Sequence, residues 1–244
     1  MSTPRTAVMG QQGTSLVVSG LSARRGAVQV FDVTFEVKPL ELHGLLAPRG
    51  GGKTLVLEAL AGLAPAHGEV RLGGVPLDPE ERRHHLFYVP DAVAFASERA
   101  RDVLSLARQS LRVDPRAVSD TVERLALADA LSSRVRELSP SAQKRLMVAL
   151  GLLVPRGFVL LAEPLAGLDA REQRSLVRVL RLSTHEQRAI LCTTTSAAEA
   201  ERLFDRFTLL SQGRVAASGA LHELRAQAGT HAGAPLEEVV HALA

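Results

Sequence analysis

The chain has 244 residues, of which 46% are hydrophobic and 23% charged, a composition typical of a folded globular protein and not of a disordered one. The net charge of +3 and the scattered basic residues give little support to a nucleic-acid partner. No apolar run approaches the roughly 20 residues that span a bilayer, the first residues lack the apolar core of a secretory signal, and Cys192 is alone. We therefore expect a soluble protein in a reducing cytoplasm.

Extended and helical patterns alternate along the chain and predict an α/β fold with a mostly parallel sheet. The segments LVV and VFDVTFEV predict strands, and GEVRLGGVPL predicts a strand, a Gly-Gly turn and a returning strand. From Ser97 to about Leu131 the pattern is helical throughout, which predicts a helical subdomain inserted at about 97–155. The other predicted elements, in chain order, are the strand ELHGLLA, a helix from Lys53 to Leu63, the strand HLFYVP, a helix from about Ser141 to Val154, the strand FVLLA, a helix from Arg171 to Leu182, the strand AILCTT, a helix from Ala197 to Phe204, the hairpin FTLLSQGRVAASG, and a linker with a short amphipathic helix.

A glycine-rich segment, APRGGGKT, follows the strand ELHGLLA and opens the next predicted helix. Glycines let backbone N–H groups turn toward phosphates, the helix presents its positive N-terminus, Lys53 neutralises phosphate charge, and the Thr54 hydroxyl can bind Mg²⁺. Lys53 is informative because only three of the 29 basic residues are lysine. The alternative is a surface glycine turn with an incidental lysine. We predict a nucleotide-binding loop made of Ala47, Pro48, Arg49, Gly50, Gly51, Gly52, Lys53 and Thr54.

Two later segments contain sequence motifs. LAEPLAGLDA (161–170) and ELSPSAQKRL (137–146) follow the loop in an order and at spacings that resemble the nucleotide-binding domain of ABC transporters, and the resemblance covers about residues 15–244. It implies the ABC ATPase fold: a P-loop NTPase core with a mostly parallel sheet, an N-terminal antiparallel β subdomain and an inserted α-helical subdomain. The corresponding boundaries are a flexible tail at 1–14, an ATP-binding domain at 15–228, and a linker with a short helix at 229–244.

The resemblance also implies cofactors, partners and residue roles. It implies ATP and Mg²⁺, a second ABC ATPase subunit as dimer partner, integral membrane permease subunits, no nucleic acid, and a place on the inner face of the cell membrane. By the same resemblance Glu163 polarises the attacking water, and Ser139 and Asp169 contact nucleotide. The chain end further resembles ATPase subunits of exporters whose membrane part is a separate polypeptide.

Several positions depart from the family pattern. Arg25 stands where an aromatic ring stacks on adenine; a guanidinium also stacks on a base, and a solvated loop charge is the alternative. Asp91 replaces a phosphate-sensing glutamine and is either a Mg²⁺ ligand or an aspartate in a turn after Pro90. Ala162 replaces the aspartate that holds hydrated Mg²⁺, so we hypothesise that Asp91 partly makes up for it.

Further departures from the family pattern lie at Thr195, at Ala47 and in the signature segment. Thr195 stands at the switch histidine, where a strand-end threonine is the alternative, and Ala47 replaces a glycine at a cost on the order of 1 kcal/mol if its φ is positive. In the signature, Pro140 removes an N–H, Ser141 adds a side chain, and Ala142 replaces glutamine. Ser139-Pro140 is equally explained as a helix cap.

These losses predict a subunit that binds ATP and hydrolyses it weakly or not at all, with turnover carried by a partner. Two alternatives stay open: a catalytically inactive scaffold with the ABC fold, and a soluble ABC ATPase that acts outside transport. The intact Gly-Gly-Gly-Lys-Thr sequence argues against a scaffold that binds no ATP, and the missing tandem domain or coiled-coil insertion argues against the second.

Overall fold

The computed structural model of the chain describes residues 14–91, 95, 97–185 and 188–243, so the predicted tail at 1–14 lies outside the described residues except for Thr14. The strands of the described residues form two sheets, and the first is antiparallel. The sheet has the strand order β2-β1-β4-β5. Its strands are β1 (Leu16–Arg25), β2 (Val28–Val37), β4 (Ala66–Leu72) and β5 (Val75–Pro76).

The second sheet has six strands in the order β10-β9-β3-β8-β7-β6. All neighbours pair in parallel except β9 and β10, which form an antiparallel hairpin. Every residue of β3, β7 and β8 is buried, as expected for parallel strands covered on both faces. The strands are β3 (Leu42–Leu46), β6 (Leu86–Val89), β7 (Phe158–Leu161), β8 (Ala189–Thr194), β9 (Arg206–Ser211) and β10 (Arg214–Gly219).

Helices cover the second sheet and form the inserted helical segment. Among the described residues, none of them is both long and apolar enough to cross a membrane. Short 3₁₀ turns at Ala128–Ala130 and Val135–Glu137 connect α4 to α5. The helices are α1 (Lys53–Leu60), α2 (Pro79–His85), α3 (Ala100–Leu111), α4 (Pro115–Arg124), α5 (Pro140–Leu153), α6 (Ala170–His185), α7 (Ala197–Leu203), α8 (Leu221–Ala228) and α9 (Leu236–Leu243).

The hydrophobic core lies in two layers, one on each face of the parallel sheet. Side chains of β7 alternate between them: Val159 and Leu161 pack with helices α5 and α6, whereas Phe158 and Leu160 pack with α1 and the antiparallel sheet. The layers hold the carboxyl ends of the parallel strands at one edge, beside the N-terminus of α1.

The mixed α/β fold is confirmed, and several elements differ from the sequence-based prediction. Helix α1 ends at Leu60, not Leu63, and helix α6 ends at His185, not Leu182. The stretch predicted as wholly helical is two helices, because Arg112 adopts a left-handed φ of 54° and the next helix begins afresh with Asp114 as its cap. Helices α2 and α8 were not predicted. Helix α2 has no apolar period, and its signal is the capping box that Asp78 forms with Glu81.

Candidate functional site

The glycine-rich loop joins the end of β3 to the start of α1. Gly50 and Gly52 have φ of 78° and 92°, values that favour glycine. A Cβ on Gly52 would collide with Val30 Cγ1, and one on Gly51 would lie 2.9 Å from Ala47 Cβ. Ala47 is not among the residues with positive φ, so alanine carries no backbone strain there. The loop therefore uses glycine where its backbone requires it.

Lys53 is buried at the centre of the loop, with 6% of its surface exposed. Its ammonium donates to the carbonyl of Ala47 at 2.7 Å and to that of Pro48 at 3.3 Å. It also lies 3.3 Å from Glu163 Oε1. Thr54, the next residue, is exposed, so its hydroxyl is accessible at the first turn of α1.

Glu163 follows β7 and contacts residues of three other elements. Its φ is 46°, a left-handed value that is strained for a residue other than glycine. Its N–H donates to Thr193 Oγ1 at 2.9 Å, and its carbonyl accepts from Lys144 Nζ at 2.9 Å. The carboxylate faces Lys53. Contacts with residues of β8, α5 and α1 thus stabilise Glu163 in a backbone conformation that is unfavourable by itself.

Lys144, on helix α5, joins the signature segment to the rest of the site, and no role was predicted for it from the sequence. Its ammonium forms an ion pair with Asp91, whose side chain is 57% exposed, while its own side chain is only 15% exposed. Burial lowers the pKa of Lys144, and the charge of Glu163 opposes that shift. The scarcity of lysine that drew attention to Lys53 applies equally to Lys144 and could have identified it.

A protein-held Mg²⁺ does not fit these residues. Ala162 is buried and offers no side-chain oxygen; its N–H donates to the carbonyl of Val89 at 3.0 Å. Asp91, the predicted second ligand, is paired with Lys144, and the Glu163 carboxylate faces Lys53. Within the described residues there is no group of three or more His, Cys, Asp or Glu that could hold a metal ion. Both predicted ligands, Thr54 and Asp91, have exposed side chains, but the Asp91 carboxylate is already engaged in an ion pair with Lys144.

Arg25 lies at the end of β1 and forms an ion pair with Glu58 of α1. Its side chain stays 60% exposed, whereas that of Glu58 is 16% exposed. Tyr88 on β6 is close to this pair: burial raises its pKa to about 12, Glu58 adds to the shift and Arg25 opposes it. Arg25 is therefore anchored beside the loop helix with an exposed guanidinium, and its stacking on a base stays a prediction.

The signature segment begins helix α5. Ser139 Oγ accepts from the Ala142 N–H at 3.2 Å, and Pro140 occupies the first helical turn, so the helix-cap interpretation of Ser139-Pro140 matches the geometry. Ser141 Oγ is buried and has no hydrogen-bond partner among the residues that the structure describes. The Ser139 side chain is exposed, but its oxygen already serves its own helix. A contact of Ser139 with nucleotide stays a prediction.

Asp169 also caps a helix. Its Oδ1 accepts from the N–H groups of Arg171 and Glu172, both at 2.8 Å, and Glu172 Oε2 accepts from the Asp169 N–H at 3.0 Å. Thr195 is exposed after β8, and the hydroxyl that reaches Glu163 belongs to Thr193. The structure thus brings together Lys53, Glu163, Lys144 and Asp91, whereas the contacts of Ser139 and Asp169 are local.

A glycine-rich loop between a parallel strand and a helix, with a buried lysine facing a glutamate from the adjacent motif, defines the P-loop class of nucleotide-binding folds. Comparison with protein families agrees: the model described as ABC transporter matches residues 30–166. The chain belongs to the ABC transporter family.

Relatives of this chain serve both export and import by name. Nod factor export ATP-binding protein I of Burkholderia orbicola is 34% identical over 224 residues, covering 87% of this chain and 68% of that protein. Molybdate/tungstate import ATP-binding protein WtpC of Archaeoglobus fulgidus is 34% identical over 188 residues, covering 74% of this chain and 78% of that protein. Molybdenum import ATP-binding protein ModC of Brucella abortus is 31% identical, and this chain covers 61% of its length.

Two solved structures share the fold. One, described as the ATP binding subunit of an ABC transporter, superposes with a TM-score of 0.82 at 28% identity, covering 93% of this chain and 98% of that one. The other, a bacterial Atm1-family ABC exporter with ATP bound, has a TM-score of 0.78 at 18% identity and covers 98% of this chain and 43% of that one. At that identity the second comparison supports the fold alone.

Proposed function

We propose that this chain is a transporter subunit that binds ATP on residues 47–54 and moves integral membrane permease subunits from the inner face of the cell membrane. The observation that carries the proposal is the buried Lys53, set in a strand–loop–helix turn with glycine at the strained positions. The three relatives described above are named as ATP-binding proteins of export or import systems, and their names support the same role.

The permease partner has a candidate contact surface in the helical segment. An apolar groove of about 410 Å³ lies between α3 and α4. Leu104, Val118 and Val122 line it, and Arg101 and Arg108 stand among its polar residues. An apolar groove between two helices is a kind of surface that receives an amphipathic helix of a partner protein. We place the permease contact here, in the predicted subdomain at about 97–155.

Weak hydrolysis is the second part of the proposal. Ala162 provides no metal support, Thr195 is a short exposed side chain, and the Ser139 oxygen is engaged within its own helix. Removing one group that stabilises transition-state charge often costs about 10²–10³ in rate, and effects within one site are not additive. We propose that a second ABC ATPase subunit pairs with this chain and carries most of the turnover.

Mg²⁺ is the least supported cofactor. Thr54 and Asp91 are the two ligands that the sequence predicts, and Asp91 would have to leave Lys144 to bind a metal ion. If Asp91 stays paired with Lys144, the nucleotide phosphates and the Thr54 hydroxyl are the ligands that remain for the ion. ATP binding by the loop does not depend on this point, because Lys53 and the backbone N–H groups of the loop act on the phosphates directly.

The test is purification of the chain alone and with its membrane partner, followed by ATP binding and turnover for the native protein, Lys53→Ala and Glu163→Gln. We expect Lys53→Ala to abolish binding and Glu163→Gln to leave the turnover of the isolated chain near background. A purified chain whose substantial turnover disappears in Glu163→Gln would disprove weak hydrolysis. Native protein that does not bind ATP would disprove the nucleotide site itself.

A further inference from the structure

Lys144 occupies a position between two oxygens at the carboxyl edge of the parallel sheet. Asp91 follows β6 and Glu163 follows β7, two neighbouring parallel strands. The Lys144 ammonium pairs with the Asp91 carboxylate and donates to the Glu163 carbonyl at 2.9 Å. A carboxylate and a backbone carbonyl are oxygen ligands that hard cations favour. Here a lysine side chain, 15% exposed, fills the space between them.

We propose that Lys144 is a built-in cation that takes the place of a divalent metal, so that this chain binds ATP without Mg²⁺. The inference rests on the proposed nucleotide site at residues 47–54. Mg²⁺ is usually bound through one or two carboxylates together with substrate phosphates. At this site the side chain of Ala162 has no oxygen, and the charge of Asp91 is already balanced by Lys144.

The choice of residue supports the assignment. Only three of the 29 basic residues are lysine, and two of the three, Lys53 and Lys144, contact the same glutamate. A lysine ammonium is a compact point charge with three donors, closer to a metal ion in shape than the planar arginine fork. The two ammonium groups lie on opposite ends of Glu163, one at its carboxylate and one at its carbonyl.

Removal of the Lys144 charge should make ATP binding dependent on the metal. Asp91 is connected to the loop through Lys144 and Glu163, and in this variant it becomes an unpaired carboxylate. We expect it to repel ATP at the proposed site and to offer a ligand to Mg²⁺. Removing the charges of Asp91 and Lys144 together abolishes both the repulsion and the ligand. The dependence on Mg²⁺ should therefore disappear again in the double variant.

The experiment measures the Kd of the full chain for ATP by calorimetry, once with excess Mg²⁺ and once with EDTA. For the native protein we expect the two values to agree within about threefold, and for Lys144→Met we expect EDTA to weaken binding at least about tenfold. The double variant Asp91→Asn/Lys144→Met should return to the native ratio. Lys38→Met is the matched control, since Lys38 is the third lysine and is exposed between β2 and β3.

The possible failures are distinguishable. Native protein that binds ATP through Lys53 but loses at least about tenfold in EDTA would overturn the metal-free site and leave the proposed function standing. Absence of ATP binding in both buffers would overturn both. Should Lys144→Met not fold, Asp91→Asn serves instead: it leaves Lys144 unpaired and should tighten ATP binding in EDTA several-fold. Weaker or unchanged binding of Asp91→Asn would contradict the proposal.

Discussion

The Glu163 carboxylate lies 3.3 Å from the Lys53 ammonium, so the two residues assigned to water activation and to phosphate binding are paired with each other. Both side chains are largely buried, at 18% and 7% exposure. An incoming phosphate must share or replace the carboxylate on this lysine. The Glu163 carboxylate therefore competes with the nucleotide phosphate for Lys53.

This competition predicts that Glu163→Gln binds ATP more tightly than the native protein. The amide keeps the shape of the side chain and removes the negative charge, so Lys53 is free to face the phosphate. A gain of about three- to tenfold in affinity is expected for the loss of a partly buried ion pair. Calorimetric titration with ATP measures it, with Glu36→Gln on the exposed face of β2 as control. Equal affinity in the native protein and Glu163→Gln would show that the pair does not oppose binding.

The two threonines at the end of β8 differ in what they support. Thr193 is buried and accepts the Glu163 N–H at 2.9 Å, whereas Thr195 is exposed. Thr193→Val leaves that donor without a partner and should lower the free energy of unfolding by about 1–3 kcal/mol. Thr195→Val should change it by no more than about 0.5 kcal/mol. Urea unfolding of both variants checks this, and equal losses for the two would contradict the assignment of Thr193.

Local signals made the loop and the order of elements predictable. The glycines before Lys53 are required by positive φ angles or by close neighbouring atoms, and any strand–loop–helix turn of this type shares these requirements. Strand β7 is short and apolar, and the motif that contains Glu163 follows it directly. The helix-cap alternative for Ser139 was likewise visible, because serine followed by proline is a local pattern.

Contacts between distant segments were not predictable from these patterns. Asp91 and Lys144 meet because β6 lies beside β7 and α5 packs over both, a relationship that no residue spacing encodes. Thr193 lies within β8 and is buried, whereas Thr195 follows the strand and is exposed. The family resemblance pointed to Thr195, and no residue spacing predicts the contact between Thr193 and Glu163. Helix α2 escaped prediction because its charged residues have no apolar period.

Tyr88 offers a spectroscopic test of the environment beside Arg25. It is the single tyrosine, and the chain has no tryptophan, so phenolate absorbance reports one group. Burial raises its pKa to about 12 from the ordinary value of 10.0, with Glu58 adding to the shift. The folded state thus keeps the proton longer than the unfolded state, and the resulting stability is full below pH 10 and is lost as the pH rises toward 12.

The measurement is a pH titration of native protein, Glu58→Gln and Tyr88→Phe. We expect a native absorbance midpoint near 12, a lower midpoint in Glu58→Gln, and a midpoint near 10 in denaturant. Tyr88→Phe should remove the corresponding part of the fall in unfolding free energy above pH 10. A native midpoint equal to that in denaturant would show that Tyr88 is not desolvated.

Asp169 has two assigned roles, helix capping and nucleotide contact, that respond differently to substitution. As a cap, its carboxylate accepts from two N–H groups of α6 at 2.8 Å, so Asp169→Ala should lower the free energy of unfolding by about 1 kcal/mol. Asparagine is also a good cap, and the free energy of unfolding of Asp169→Asn should stay within about 0.5 kcal/mol of the native value.

Urea unfolding measures the stabilities of the Asp169 variants, and titration of the same proteins with ATP measures their affinities. If Asp169 acts only as a cap, Asp169→Asn binds ATP like the native protein; if its charge contacts the nucleotide site, affinity changes while stability does not. Asp169→Ala with native stability would contradict the capping role.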